Sequence, residues 1–204
     1  MNRKVLNTCA ATLLGLASAN LQASTVELIP TGSTLINAGE TVTFGIWADF
    51  SDVGGTIGGN MDIFYDSSVL TYNNDFTFDP TFMTDPMLSA TGDDCANAPT
   101  SGCSGPGEIN NIAVGTFSFF GLAALGPTQV GTLSFTGAFA GVSDLTMADS
   151  DDFLATGWFD NTFFESAFPQ YNQASVEVSA VPVPAAAWLM LSGLGLIGGF
   201  LRRK

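Results

Sequence analysis

Thr41-Val-Thr-Phe-Gly-Ile-Trp-Ala-Asp-Phe50 is the stretch that decides the architecture. Val42, Phe44, Ile46 and Ala48 occupy alternate positions, so an extended backbone puts all four on one face. A helix would scatter the same residues around its circumference. The pattern therefore specifies a β-strand with one buried side, and it recurs outward in both directions. Residues 25–29 make a first strand. Residues 60–65 make another, with Met61, Ile63 and Tyr65 on one face. Residues 109–120 form a long β-rich run, and 130–139 alternate through Leu133 and Phe135. Shorter strands are expected over 143–147, 153–159 and 175–178. Clusters of Gly, Pro, Asn and Asp separate these segments, as at Pro30-Thr-Gly32, Asn37-Ala-Gly39 and Gly126-Pro127. About nine short strands with tight turns specify an all-β, two-sheet sandwich of the jelly-roll type. A helical turn is expected only at Ser67-Ser68-Val69, where Asp66 can cap it.

Charge constrains the function next. The chain has 204 residues and a net charge of −14, but its five basic residues are Arg3, Lys4, Arg202, Arg203 and Lys204. Between Val5 and Leu201 there is no Lys, Arg or His, while all 19 Asp and Glu lie there. Nucleic acid and anionic membrane surfaces have no basic patch to bind. Carboxylates in this region have no side-chain cation to pair with. They must face water, accept hydrogen bonds or hold a metal ion.

The two ends are targeting segments. Residues 1–23 have a basic start, an apolar centre and a small-residue end, the pattern of a secretory signal peptide. Cleavage is expected after Ala23, with Ala19 as the alternative. Cys9 lies in this segment outside any lipobox. The mature chain keeps Cys95 and Cys103, and in an exported protein such a pair points to a disulfide. Free thiols or a two-cysteine metal site are the alternatives. Around the pair, Thr91-Gly-Asp-Asp94 and Ser104-Gly-Pro-Gly107 read as solvated loops.

At the other end, residues 185–201 are uncharged and rich in Leu, Ala and Gly. As a helix they would extend about 25 Å, enough for a slightly short transmembrane span. Val181, Pro182, Val183 and Pro184 precede this span, Trp188 lies within it, and Arg202, Arg203 and Lys204 follow. This order of hinge, span and basic stop resembles the PEP-CTERM sorting signal, whose usual Glu between the prolines is Val183 here. The resemblance implies an exosortase-type processing protease as partner and Sec-dependent export in a Gram-negative bacterium. It also implies an inner-membrane intermediate on the way to the cell surface or extracellular matrix.

A second resemblance spans residues 26–179. Gly39-Glu-Thr-Val-Thr-Phe44, Tyr65-Asp-Ser-Ser-Val-Leu70, Gly131-Thr-Leu-Ser-Phe135 and Val176-Glu-Val178 look like the strand starts of a cohesin domain. Cohesins share their jelly-roll sandwich with cellulose-binding modules. Three units follow: signal peptide 1–23, cohesin-like sandwich 24–180, and sorting signal 181–204.

Candidate sites are few. Without His or Lys, residues 5–201 hold no Ser-His-Asp triad, no Cys-His pair and no Schiff-base lysine. Catalysis by two carboxylates stays formally open. A non-enzymatic role is the expectation, with no cofactor unless it is Ca²⁺. Asp144, Asp149, Asp151 and Asp152 are the candidate Ca²⁺ ligands, since calcium takes six to eight oxygens. Trp158, Asp160, Asn161 and Tyr171, with the neighbouring Phe residues, are the candidate sugar-stacking platform. The expected role is binding extracellular polysaccharide; the alternative is a structural or protein-binding module without sugar affinity.

Overall fold

The computed structural model describes residues 23–79, 90–96, 103–115, 126–150, 157–160 and 166–180. The deciding stretch is strand β3 (Thr41–Asp49), and Val42, Phe44, Ile46 and Ala48 are all buried, as the alternation requires. It follows β1 (Thr25–Pro30) and β2 (Leu35–Asn37) and precedes β4 (Thr56–Phe64), β5 (Leu70–Tyr72) and β6 (Thr77–Phe78). Then come β7 (Ala90–Asp94), β8 (Glu108–Gly115), β9 (Thr128–Gly137) and β10 (Gly141–Asp149). Last are β11 (Trp158–Asp160), β12 (Ser166–Ala167), β13 (Gln170–Asn172) and β14 (Ala174–Ser179). Among the described residues the only helical element is one 3₁₀ turn, Ser51–Val53.

The strands form two sheets. In the smaller, β3 lies between β1 and β9, β13 pairs in parallel with β1, and β5 and β6 share the far edge of β9. The larger has the order β12-β11-β4-β10-β14-β2. There β4 carries β8 along one edge and β11 and β10 in succession along the other; β7 extends the sheet beyond β8. Inward residues of both sheets fill one core. Phe135 stands at its centre, with ring centroids 6.3 Å from Phe44, 5.1 Å from Tyr65 and 5.7 Å from Tyr72.

Three expectations change. Residues 90–94 are a strand, not a solvated loop, and Asp94 is buried. The segment pairs because β8 offers a full edge, and the register Asp94↔Ile109 draws it in. Ser67–Val69 makes a hydrogen-bonded turn and no helix: the Asp66 carbonyl accepts from the amides of Val69 (3.0 Å) and Leu70 (2.9 Å). Asp66 does cap it, with Oδ1 accepting from the amide of Ser68 at 2.8 Å and its hydroxyl at 2.6 Å. These bonds hold the Asp66 carboxyl below its ordinary range. Third, among the described residues six segments of two or three residues supplement eight longer strands. Such short pieces carry no readable period. The expected transmembrane helix over 185–201 lies outside the described residues.

Candidate functional site

Three residues from both candidate sites meet at one end of the sandwich. Trp158 on β11 pairs with Gly59 of β4 and points into the core. It is 0 % exposed, and its rings sit 5.0 Å from Phe50. Gly59 makes this placement work: a Cβ there would lie 2.5 Å from the indole. The Trp158 Nε1–H donates to the Tyr171 hydroxyl at 3.1 Å. That hydroxyl donates to Asp149 Oδ1 at 2.5 Å. Tyr171 belongs to β13 in the smaller sheet, while Trp158 and Asp149 belong to the larger. The chain of bonds therefore ties the two sheets together. Burial first, then the adjacent Asp149 carboxylate, pushes the Tyr171 hydroxyl far above its ordinary pKa.

This geometry places the main residue of the sugar-platform expectation in the core. A buried indole has no open face on which a pyranose can stack, and Tyr171 uses its hydroxyl within the protein. Asp160 is half-buried at the irregularity opposite Thr56, and Asn161 lies outside the described residues. Of the four calcium candidates, two lie among the described residues. Asp144 and Asp149 are five positions apart on β10, about 17 Å at 3.4 Å per residue, and odd spacing puts them on opposite faces. Asp144 is exposed on the outer face beside Ser175. Asp151 and Asp152 lie outside the described residues, as do Val181, Pro182, Val183, Pro184, Trp188, Arg202 and Arg203.

Cys95 and Cys103 form the expected disulfide, with Cα atoms 5.6 Å apart. It staples β7 to β8 where the amide of Cys95 donates to the carbonyl of Glu108 at 3.0 Å. Two carboxylates organise this corner. Asp94 Oδ1 accepts from the amide of Ala96 at 3.0 Å, and Glu108 Oε2 accepts from the amide of Ser104 at 2.6 Å. Desolvation, with Asp94 second, pushes the Tyr65 hydroxyl up to about 12.

A polar strip on the outer face of the larger sheet escaped the sequence. Asn60 and Asp62 alternate with the core residues Met61 and Ile63, yet both are buried. Opposite Asp62, β8 bulges through Asn110 and Asn111, and Asn111 takes a left-handed φ of 60°. Its amide donates to Asp62 Oδ1 at 2.7 Å. The Oδ1 atoms of Asn60 and Asn111 are buried with no hydrogen-bond partner among the described residues. The only sequence signal was the Asn110-Asn111 pair inside an apolar run, since Asn tolerates a left-handed backbone.

With the geometry in place, comparison with known proteins adds two findings. Residues 180–204 match the PEP-CTERM protein-sorting motif. The sandwich is similar to solved cohesin modules. One, from a type I cohesin–dockerin complex of Clostridium thermocellum, superposes with a TM-score of 0.57 at 13 % identity, covering 78 % of this chain and 95 % of that one. The sixth cohesin of scaffoldin B from Acetivibrio cellulolyticus, solved with a dockerin, gives 0.56 at 10 % identity, covering 78 % of this chain and 100 % of that one. A cohesin module from a Clostridium perfringens family 33 glycoside hydrolase gives 0.51 at 10 % identity, with coverage of 78 % and 100 %. At these identities the likeness establishes the fold: an all-β, cohesin-like sandwich followed by a sorting motif. No curated protein matches the chain.

Proposed function

We propose that this chain is an exported, non-catalytic binding module, delivered by an exosortase system and acting through protein contacts. The observation that carries this is the joint layout. One sandwich covers whole cohesin modules, and a PEP-CTERM motif follows it at residues 180–204. The motif implies export and a membrane-held intermediate, with an exosortase-type protease as processing partner. The cohesin-like frame supports protein binding over sugar binding, because the best aromatic candidate for a sugar platform is core.

Two measurements test this. In a host that carries the exosortase, the intact mass of the exported chain should fall by the tail, and deleting the protease should restore it. Unchanged masses would overturn the sorting. The purified exported protein should yield discrete protein adducts on surface crosslinking in its native host and no signal on a glycan array. Saturable polysaccharide binding without protein adducts would overturn the protein-binding role.

A further inference from the structure

Ser24 is held in an unusual way for the first residue before a strand. Its amide nitrogen donates to Asp52 Oδ2 at 3.0 Å, and its hydroxyl donates to Asp52 Oδ1 at 2.5 Å. Its carbonyl accepts from the amide of Gln170 at 2.8 Å. Ser24 is 4 % exposed, whereas Ala23, one residue earlier, is exposed. Both oxygens of one carboxylate thus close on the nitrogen and hydroxyl of the residue that follows the expected leader.

We propose that removal of the leader at the Ala23–Ser24 bond creates an α-ammonium that Asp52 is placed to bind, making Ser24 the cationic anchor of the folded body. The inference rests on the export reading above. Hydrolysis of that amide consumes one water. The hydroxyl goes to the Ala23 carbonyl carbon and a proton to the Ser24 nitrogen; at neutral pH the products are a carboxylate on the departing leader and an ammonium on Ser24. One N–H of the ammonium keeps the direction of the present bond to Oδ2. The others open toward the space that Ala23 leaves at the surface.

The charge map gives this ammonium its weight. Residues 24–180 contain no Lys, Arg or His, so the cut adds the one cation of the body. The charged groups around it are all acidic: Asp52 on the 3₁₀ turn, Asp49 opposite Thr25 at the end of β3, and Glu27 further along β1. On β13 the neighbours are neutral Gln170 and Tyr171. Cleavage after Ala19 would leave four residues ahead of Ser24, and the contact would remain a neutral amide bond.

The test uses the full chain, secreted with its own leader. N-terminal sequencing of the product should begin at Ser24. A product beginning at Asn20 overturns the proposal, and an uncut leader overturns the export reading instead. On the product cut at Ser24, acylation of the α-amine is followed by mass spectrometry of the N-terminal peptide. At pH 7.5 the wild-type amine should react roughly three- to tenfold more slowly than that of Asp52→Asn, because each unit of raised pKa is tenfold in free amine. Equal rates would sink the ion pair while leaving export intact.

Stability supplies a second readout. A folded pKa raised above the ordinary α-amino value gives stability that is full below about pH 8 and lost as pH rises through the raised value. The melting temperature should drop by about 2 °C between pH 7 and 9. The drop should vanish in Asp52→Asn and after α-acetylation. The window stops at pH 9, because Cys95 and Cys103 are bridged and do not titrate, whereas Tyr65 and Tyr72, pushed up to about 12 in the folded protein, begin to lose protons in the unfolded chain as pH nears 10. Tyr171 is displaced further in the same direction. A drop that persists in both controls overturns the assignment.

Discussion

Replacing Tyr171 by Phe removes one oxygen and breaks two hydrogen bonds that span the sheets. The Trp158 Nε1–H then loses its acceptor at 3.1 Å. Trp158 is 0 % exposed, so water cannot take over. A buried donor left unmade costs about 1–3 kcal/mol. The Asp149 carboxylate also loses a donor, but it is only half-buried and water can reach it, so its share falls near 1 kcal/mol. The expected loss is about 2–4 kcal/mol. For a domain of this size each kcal/mol lowers the melting temperature by about 2–4 °C, which gives a drop of roughly 5–15 °C. Urea unfolding followed by tryptophan fluorescence measures it. The midpoint should fall with the slope unchanged, since the surface exposed on unfolding is the same. A cycle with Asp149→Asn isolates the coupling. It should exceed 0.5 kcal/mol, the usual limit for sites that do not interact. A loss under about 0.5 kcal/mol in Tyr171→Phe, or no coupling in the cycle, would refute the bridging role.

Three further outcomes follow from the same geometry. Replacing both Cys95 and Cys103 by Ser should cost about 2.5 kcal/mol, the loop-closure entropy for a sequence separation of 8, read as a lower urea midpoint under oxidising conditions. Gly59→Val should destabilise by about 3 kcal/mol in a thermal melt, because its Cβ alone would sit 2.5 Å from the Trp158 indole and 2.7 Å from the Trp158 Cα, which cannot move without its strand. All three tyrosines, Tyr65, Tyr72 and Tyr171, have hydroxyl pKa values raised by burial, so stability is full below about pH 10 and falls above it as the unfolded chain loses those protons first. Tyrosinate absorbance should therefore rise together with alkaline unfolding, with no tyrosine titrating normally in the folded protein.

Period-2 alternation carried most of the sandwich. It located β1, β3, β9, β10 and β14 because each buries one face and leaves much of the other wet, and β4 through Met61 and Ile63 although its outward Asn60 and Asp62 are buried as well. It failed at β7, where Ala90-Thr-Gly-Asp-Asp94 has almost no apolar residue to bury. That strand exists because of its partner edge and because Asp94 finds donors, neither of which is local in sequence. The site was legible as a set of residues and misread in orientation. Trp158, Tyr171 and Asp149 were all singled out, but whether an indole faces solvent or core depends on the opposing strand. Gly58-Gly59, about a hundred residues earlier, leaves the notch that admits it. The adjacent pair Gly58-Gly59 inside a β-rich segment was the available signal.

The carboxylates show how a body without basic side chains folds at all. Sequence left them three options, and many described ones take the hydrogen bond. Asp75 grips the amide of Ser134 at 2.9 Å and its hydroxyl at 2.6 Å, the same two-point hold that Asp52 has on Ser24. Glu40 accepts from the amide of Asn37 at 2.8 Å, a bond that lowers its carboxyl pKa. Asp62, Asp66, Asp94 and Glu108 likewise take backbone amides at a bulge, a turn and the stapled corner. Charge-assisted bonds of this kind are about twice as strong as neutral ones and stabilise without a counter-charge. The acidity is thus satisfied internally but not neutralised, and the folded body still presents a strongly negative field. An anionic polysaccharide would approach it against that field, with no basic residue to reward contact. A partner that carries Lys or Arg would be drawn in by the same field, and that asymmetry favours protein over acidic glycan as the binding partner.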